Sequence, residues 1–255
     1  MEFLGPIEGL ADPLTPYASV DRSRPVGACW VMANMVGGLD GSAAIGGRVS
    51  ALSTAPDAEL FIAMRTLADV VLVGAETIRR EGYGPLTLPA RRAESRVAQG
   101  RPAAPRLAVV SRSLNLDWSS RAFVDPALEG RAVVITCEAA DDERLRQARA
   151  VAEVIVAGDE RVEPALALRE LADRGHGVVL SEGGPTWLGE LVAGGHLDEL
   201  CLTISPLMGG DMLPISVTPP GASLVQLSLR HVLQAGDTLF LRYERGEPHE
   251  PGAGH

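Results

Sequence analysis

Glu182, Gly183, Gly184 and Pro185 stand at the centre of a segment whose residue types and spacing could hold a phosphate, HGVVLSEGGPTWLGEL at residues 176–191. Val178, Val179 and Leu180 form the continuous apolar run expected of a strand covered on both faces. The glycine pair ends that run with backbone able to approach a ligand closely. Pro185 suits the first position of a helix, where its missing N–H would go unpaired in any case. The free N–H groups around it and the positive end of the helix dipole can then face an anion. Glu182 lies at the carboxyl end of the strand, where open α/β sheets place side chains that touch ligands. A strand, Gly-Gly-Pro and a helix is also a common structural turn, in which Glu182 accepts backbone N–H bonds or caps the turn after it. The order G-x-G-x-x-G is absent, so the segment is no dinucleotide fingerprint.

The remaining reactive types narrow the chemistry. All 23 basic residues are arginine, which removes Schiff-base lysine chemistry and the Walker A lysine together. Any phosphate is therefore held by arginine forks and backbone amides. The five histidines, His176, His196, His231, His249 and His255, form no H-E-x-x-H or H-x-H arrangement, and no metal is expected. Cys29, Cys137 and Cys201 sit singly in apolar, strand-like segments, as buried small hydrophobes do, rather than in a disulfide or zinc framework. A net charge of −10 argues against a nucleic-acid partner but leaves room for local arginine sites that take small phosphorylated ligands.

These residues need a scaffold. With 255 residues, 46% of them hydrophobic, the chain can bury one large core. The expected layout is an extended, proline-rich arm over residues 1–25, one folded domain over 26–245 and a disordered tail over 246–255. No apolar run reaches the length of a membrane span, and the start MEFLGPIEGL lacks the basic and long apolar regions of a signal peptide; a cytoplasmic protein without a membrane partner is expected. Strands are expected at 26–35, 69–74, 107–111, 132–137, 153–157, 178–180, 199–205, 224–233 and 238–243. Helices are expected at 56–68, 75–80, 141–150, 163–174 and 185–193. Residues 86–106, with five arginines among small residues and proline, read as a surface loop, and the turn-rich 209–221 carries no chemistry that can be named. The alternation makes the chain an α/β protein with a mainly parallel central sheet flanked by helices. The last two strands leave no room for a helix between them, so the sheet should end antiparallel.

Three segments match one family in order: Leu39-Asp40-Gly41 after the first strand; Arg65 followed by DVVLVGAETIRREGYGP; and SEGGPTWLGEL followed by LDELCLTISPLMGG. Together they resemble the RibD-type pyrimidine reductase domain of riboflavin biosynthesis, whose fold is that of dihydrofolate reductase. The resemblance covers residues 26–243. It implies an NADPH-dependent reductase similar to 5-amino-6-(5-phosphoribosylamino)uracil reductase, with hydride transfer to an imine at the ribosyl C1′; the antiparallel C-terminal strands and the apolar run LDELCLTISPLM suggest a homodimer, as members of that family commonly form.

Ser50, Arg65 and Glu182 match family positions that touch the phosphoribosyl-pyrimidine. Thr77 and Glu81 match positions lining the nicotinamide nucleotide, and Gly183, Gly184, Pro185, Thr186, Trp187, Leu188 and Gly189 match the segment that holds its pyrophosphate. Ser111 and Arg112, just past the strand RLAVV, are positioned for the adenosine 2′-phosphate. Each has an ordinary alternative. Arg65 could pair with Asp69 at i+4, Thr77 could cap a helix, Glu81 and Arg112 could be solvated charges, and Ser50 a loop serine. Two departures stand out. Asn34 replaces a lysine found in many bifunctional members, and Glu81-Gly82-Tyr83-Gly84-Pro85 replaces their Asp-Asp-Pro and following arginine, so Arg91 or Arg92 could reach a substrate phosphate only if the 86–106 segment folded back. Asp40, Asn34 and Glu182 are the positional candidates for moving the proton. The competing readings are a reductase of another heterocycle, such as dihydrofolate, and a nucleotide-binding protein without catalysis.

Overall fold

A computed structural model describes residues 12–246. The tail expected to be disordered, 246–255, falls outside the described residues apart from Gly246. A nine-stranded sheet organises the chain, with strands β1 (Trp30–Gly37), β2 (Val70–Gly74), β3 (Arg106–Val110), β4 (Val133–Thr136), β5 (Glu153–Val156), β6 (Val178–Ser181), β7 (Glu199–Ile204), β8 (Leu227–Ala235) and β9 (Thr238–Arg245). The spatial order is β5-β4-β3-β2-β6-β1-β7-β9-β8. Every pairing from β5 to β7 is parallel, and β9 pairs antiparallel with both β7 and β8. The helices are α1 (Thr15–Ala18), α2 (Ala55–Met64), α3 (Ala75–Glu81), α4 (Ala90–Ala98), α5 (Arg121–Val124), α6 (Asp142–Val151), α7 (Pro164–Asp173) and α8 (Pro185–Ala193). Among the described residues no helix is long and apolar enough to cross a membrane.

The apolar runs behave as strands buried on both faces should. Val71, Val73 and Leu180 join one core cluster, and Val70, Leu72 and Val179 join the other. Cys137 and Cys201 are buried thiols and Cys29 is partly buried, all three free. Because β6 enters between β2 and β1, the carboxyl ends of three strands far apart in sequence come together. A crevice outside such ends, where the strand order reverses, is where open α/β sheets bind ligands.

Three expectations need correction. Residues 12–25 are no extended arm: Tyr17 of α1 is buried, and Arg22 lies in the interior, where its Nε and Nη2 donate to Glu199 at 2.9 and 2.8 Å. Arg242 and Trp30 donate to the same carboxylate, so four donors offset the cost of burying its charge. The 86–106 stretch is not all loop, since α4 lies within it. Its Arg96 is 1% exposed and donates to the carbonyls of Thr66, Ala68 and Pro102, so a residue that reads as surface charge satisfies backbone oxygens inside. The first strand begins at Trp30 rather than residue 26, after the left-handed Gly27.

Candidate active site

Gly183 carries φ +88°, a conformation that an L side chain rarely adopts, and this turns the chain out of β6. Its carbonyl accepts from Gly74 N at 2.8 Å, which locks the end of β6 to the end of β2. Gly184 is the N-cap of α8 and Pro185 its first residue. The first helical bond runs from Leu188 N to Gly184 O at 3.1 Å, so the N–H groups of Thr186 and Trp187 have no partner within the helix. No side chain caps this end. Gly189 faces the other way: a Cβ there would lie 1.8 Å from the Val217 carbonyl oxygen, so the helix and the 209–221 loop touch backbone to backbone.

A cavity of about 730 Å³ opens beside this turn. One side is formed by residues following β2 and β6, among them Thr77, Gly183, Gly184, Pro185, Thr186 and Trp187. The other is formed by the loop after β1, the exposed face of α2 and the Tyr83–Leu86 stretch. Leu213, from the loop to which no chemistry was assigned, completes the wall. That loop is held by Asp211, which accepts from Gly46 and Gly47, and by Asp40, which accepts from Gly209 and Gly210.

At the cavity's centre Arg65 and Glu182 meet. Arg65 Nε and Nη2 donate to Glu182 Oε1 and Oε2 at 2.6 and 2.7 Å, and the Tyr83 hydroxyl donates to Oε2 at 2.7 Å. Glu182's side chain is fully buried and that of Arg65 is 12% exposed. Burial opposes the charge of Arg65, yet Glu182 raises the guanidinium above its ordinary value. Burial, reinforced by Glu182, pushes the Tyr83 hydroxyl well above the ordinary tyrosine value, so it remains a donor. Arg65 also lies 4.6 Å over the Phe61 ring. The i+4 pairing with Asp69 does not form, because Asp69 accepts from Arg101 instead. Arg65 retains Nη1, which bonds to no described residue. Glu182 already accepts three bonds of the roughly four a carboxylate can take.

The other expected residues divide. Ser50 is an exposed residue on the cavity wall, and Thr77 lines it with a hydroxyl that bonds to no described residue. Glu81 also lines it, though it is not a solvated acid: its Oε1 accepts from Val49 N at 2.8 Å and so holds the loop carrying Ser50. Leu188 and Gly189 lie behind the cavity wall, one in the core and one beneath Val217. Ser111 and Arg112 do not line the cavity; the Ser111 hydroxyl accepts from Leu114 N at 3.0 Å and Arg112 is exposed. Arg91 and Arg92 are also away from it, and Arg92 pairs with Asp12. Of the proton-handling candidates, Asn34 lines the cavity while Asp40 does not. Bonds from Ser42 and then Gly209 hold Asp40 far below the usual carboxylate range, as suits a loop brace. Tyr83 and Asp57 are the lining residues sequence reasoning missed; the departure at 81–85 was the signal for Tyr83, whereas Asp57, in the first turn of α2, gave none.

Other proteins resemble this chain in sequence and in fold. The 2,5-diamino-6-ribosylamino-4(3H)-pyrimidinone 5′-phosphate reductase of Aquifex aeolicus is 31% identical over 187 residues, which span 71% of this chain and 78% of that protein. The crystal structure of a pyrimidine reductase-like protein from Corynebacterium diphtheriae superposes with a TM-score of 0.80 at 30% identity, over 93% of this chain and 96% of the other. Dihydrofolate reductase from Enterococcus faecalis, crystallised with NADP(H), shares the fold at a TM-score of 0.50 and 15% identity, over 87% of this chain and 98% of that one. A sequence model of the RibD C-terminal domain family matches residues 29–241, and this chain belongs to that family.

Proposed function

We propose that this protein is an NADPH-dependent reductase of riboflavin biosynthesis that acts on a small phosphorylated ribosylaminopyrimidine. The observation that carries the reading is the divided cavity. An uncapped helix start lies on one side, and a largely buried arginine whose Nη1 bonds to no described residue, held by Glu182, to which Tyr83 also donates, lies on the other. The curated relative is named for the diaminopyrimidinone, so that compound, rather than the uracil suggested by sequence resemblance, is the preferred candidate.

The residues present fit the cofactor. The free N–H groups of Thr186 and Trp187 would hold a pyrophosphate at the positive end of α8, and Thr77 would face the nicotinamide side. Ser111 and Arg112 would serve the 2′-phosphate only from outside the cavity. NADPH, when bound, supplies the hydride. The chain's own part is positioning and water exclusion: Ser50 and Arg65 orient the substrate, and Glu182 fixes Arg65 and Tyr83. Asn34 lines the cavity and can hydrogen-bond the pyrimidine-side nitrogen, while the proton which that nitrogen takes up as the ribosyl C1′ is reduced comes from solvent. The enzyme is proposed to work in the cytoplasm as a homodimer. The apolar run LDELCLTISPLM lends that dimer no support, because β7 is an interior strand of its own sheet.

The test is NADPH oxidation, followed by absorbance, with the diaminopyrimidinone phosphate, the corresponding uracil and dihydrofolate supplied in parallel. Turnover of a ribosylaminopyrimidine is expected. NADPH binding without turnover would leave only a nucleotide-binding protein, and selective turnover of dihydrofolate would move the activity to another heterocycle.

A further inference from the structure

Two buried carboxylates line the cavity, Glu182 and Asp57. Glu182 has Arg65. Asp57 is 5% exposed and has no cationic partner among the described residues. Its Oδ2 accepts from the Ser53 hydroxyl at 2.5 Å, and its Oδ1 bonds to no described residue. An acid three residues after a threonine N-cap ordinarily reaches back to the cap's N–H. Here Thr54 caps α2 by accepting from Asp57 N, while the Asp57 carboxylate turns to Ser53 and the cavity. A carboxylate offers about four acceptor positions, so with a single hydroxyl donor Asp57 keeps acceptor capacity open toward the cavity.

Asp57, Phe61 and Arg65 follow one another at i, i+4 and i+8 along one side of α2, and all three line the cavity. They span about 12 Å along the helix axis at 1.5 Å per residue, enough for a pyrimidine ring and its sugar. A substrate whose sugar lay against Arg65 and Glu182 would bring its ring to Asp57.

We propose that Asp57 is the specificity-determining residue of this cavity, its carboxylate accepting two adjacent N–H donors, the exocyclic amine and neighbouring ring N–H of an amino-oxo-pyrimidine. This assignment rests on the proposed reductase function. The diaminopyrimidinone presents that donor pair. The uracil has a carbonyl oxygen in place of the amine, which would face the carboxylate as acceptor against acceptor. Sites built to hydrogen-bond a donor reject analogues that lack it, because the buried acceptor is left unpaired.

The decisive measurement is equilibrium binding of the two ribosylaminopyrimidine phosphates by calorimetry in the presence of NADP⁺, which prevents turnover, to the wild type and to Asp57→Asn. Wild type is expected to prefer the diaminopyrimidinone by about a hundredfold, the worth of two charge-assisted hydrogen bonds discounted for competition with water. Asp57→Asn should bring that ratio close to one, through weaker binding of the diaminopyrimidinone and unchanged or tighter binding of the uracil. Unchanged NADP⁺ affinity and urea midpoint in the variant would show that the fold is intact; the Thr54 cap survives because it uses the backbone of residue 57. Absence of a preference in the wild type, or an equal loss for both ligands in the variant, would overturn the assignment. The oxidation assay fails or succeeds independently of this ratio.

Discussion

Removing Arg65 and Glu182 singly and together measures how strongly the two residues at the centre of the cavity depend on each other. Glu182→Ala deletes a fully buried carboxylate that accepts two bonds from Arg65 and one from Tyr83. Breaking one half of a buried pair typically costs about 3–5 kcal/mol. The lower end, about 3 kcal/mol, applies to Glu182→Ala, because the abandoned guanidinium borders a cavity that water can enter. Arg65→Ala leaves Glu182 buried with only the Tyr83 hydroxyl, and about 4–5 kcal/mol is expected. The double variant removes both charges and keeps the cavity and desolvated hydroxyl costs, about 3–4 kcal/mol, so the coupling between the two sites is about 4 kcal/mol. Urea unfolding followed by tryptophan fluorescence suits the measurement, since a neutral denaturant does not screen the pair. Thermal midpoints should fall by roughly 2–4 °C per kcal/mol for a chain of this size. Additivity within about 0.5 kcal/mol would refute the reasoning, because independent residues cannot share a direct, buried contact.

Two other perturbations probe the surroundings. Gly189→Ala drives a Cβ to 1.8 Å from the Val217 carbonyl, so the 209–221 loop must move away from α8; a loss of about 1–3 kcal/mol and faster proteolysis of that loop are expected, and an unchanged urea midpoint would contradict the close approach. His231 packs edge-on against Tyr17 at 4.7 Å, and burial, with Arg242 second, pushes its pKa down to about 4 from the usual 6.5. The neutral imidazole is favoured in the fold, so its contribution is present above pH 6.5 and is lost as pH falls toward 4, where the unfolded chain takes up the proton first. About 1–2 kcal/mol should disappear across that window after allowance for partial exposure, and His231→Gln should flatten the wild-type slope in a pH series of urea midpoints.

Local patterning carried much of the architecture. The apolar runs at 69–74 and 178–180 could only be buried strands, and Gly183-Gly184-Pro185 marked the start of α8, whose span at 185–193 agrees with the structure. These features depend on neighbours within a few residues, where periodicity, glycine conformations and the missing proline N–H act directly. α4 escaped notice because hydropathy counts Arg96 as surface, whereas its guanidinium is buried by bonding three carbonyls from other segments. The docking of residues 12–25 escaped for the same reason, since it depends on Arg22 reaching Glu199 across 177 positions.

The site divides likewise. Sequence by itself determined that the chain has no lysine, leaving arginine as its only cation for any anion, and that a helix begins after a glycine pair at the end of a strand; resemblance to the family singled out Arg65, Thr77, Glu81 and Glu182, all of which line the cavity. Only the tertiary structure decided what those residues do to each other. Inserting β6 between β2 and β1 brings Glu182 against Arg65, 117 positions away, and Tyr83 against Glu182 as well. Residue type states that a carboxylate can accept hydrogen bonds; the tertiary structure, which no local pattern encodes, supplies the donor for Glu182 and leaves Asp57 without a cation among the described residues.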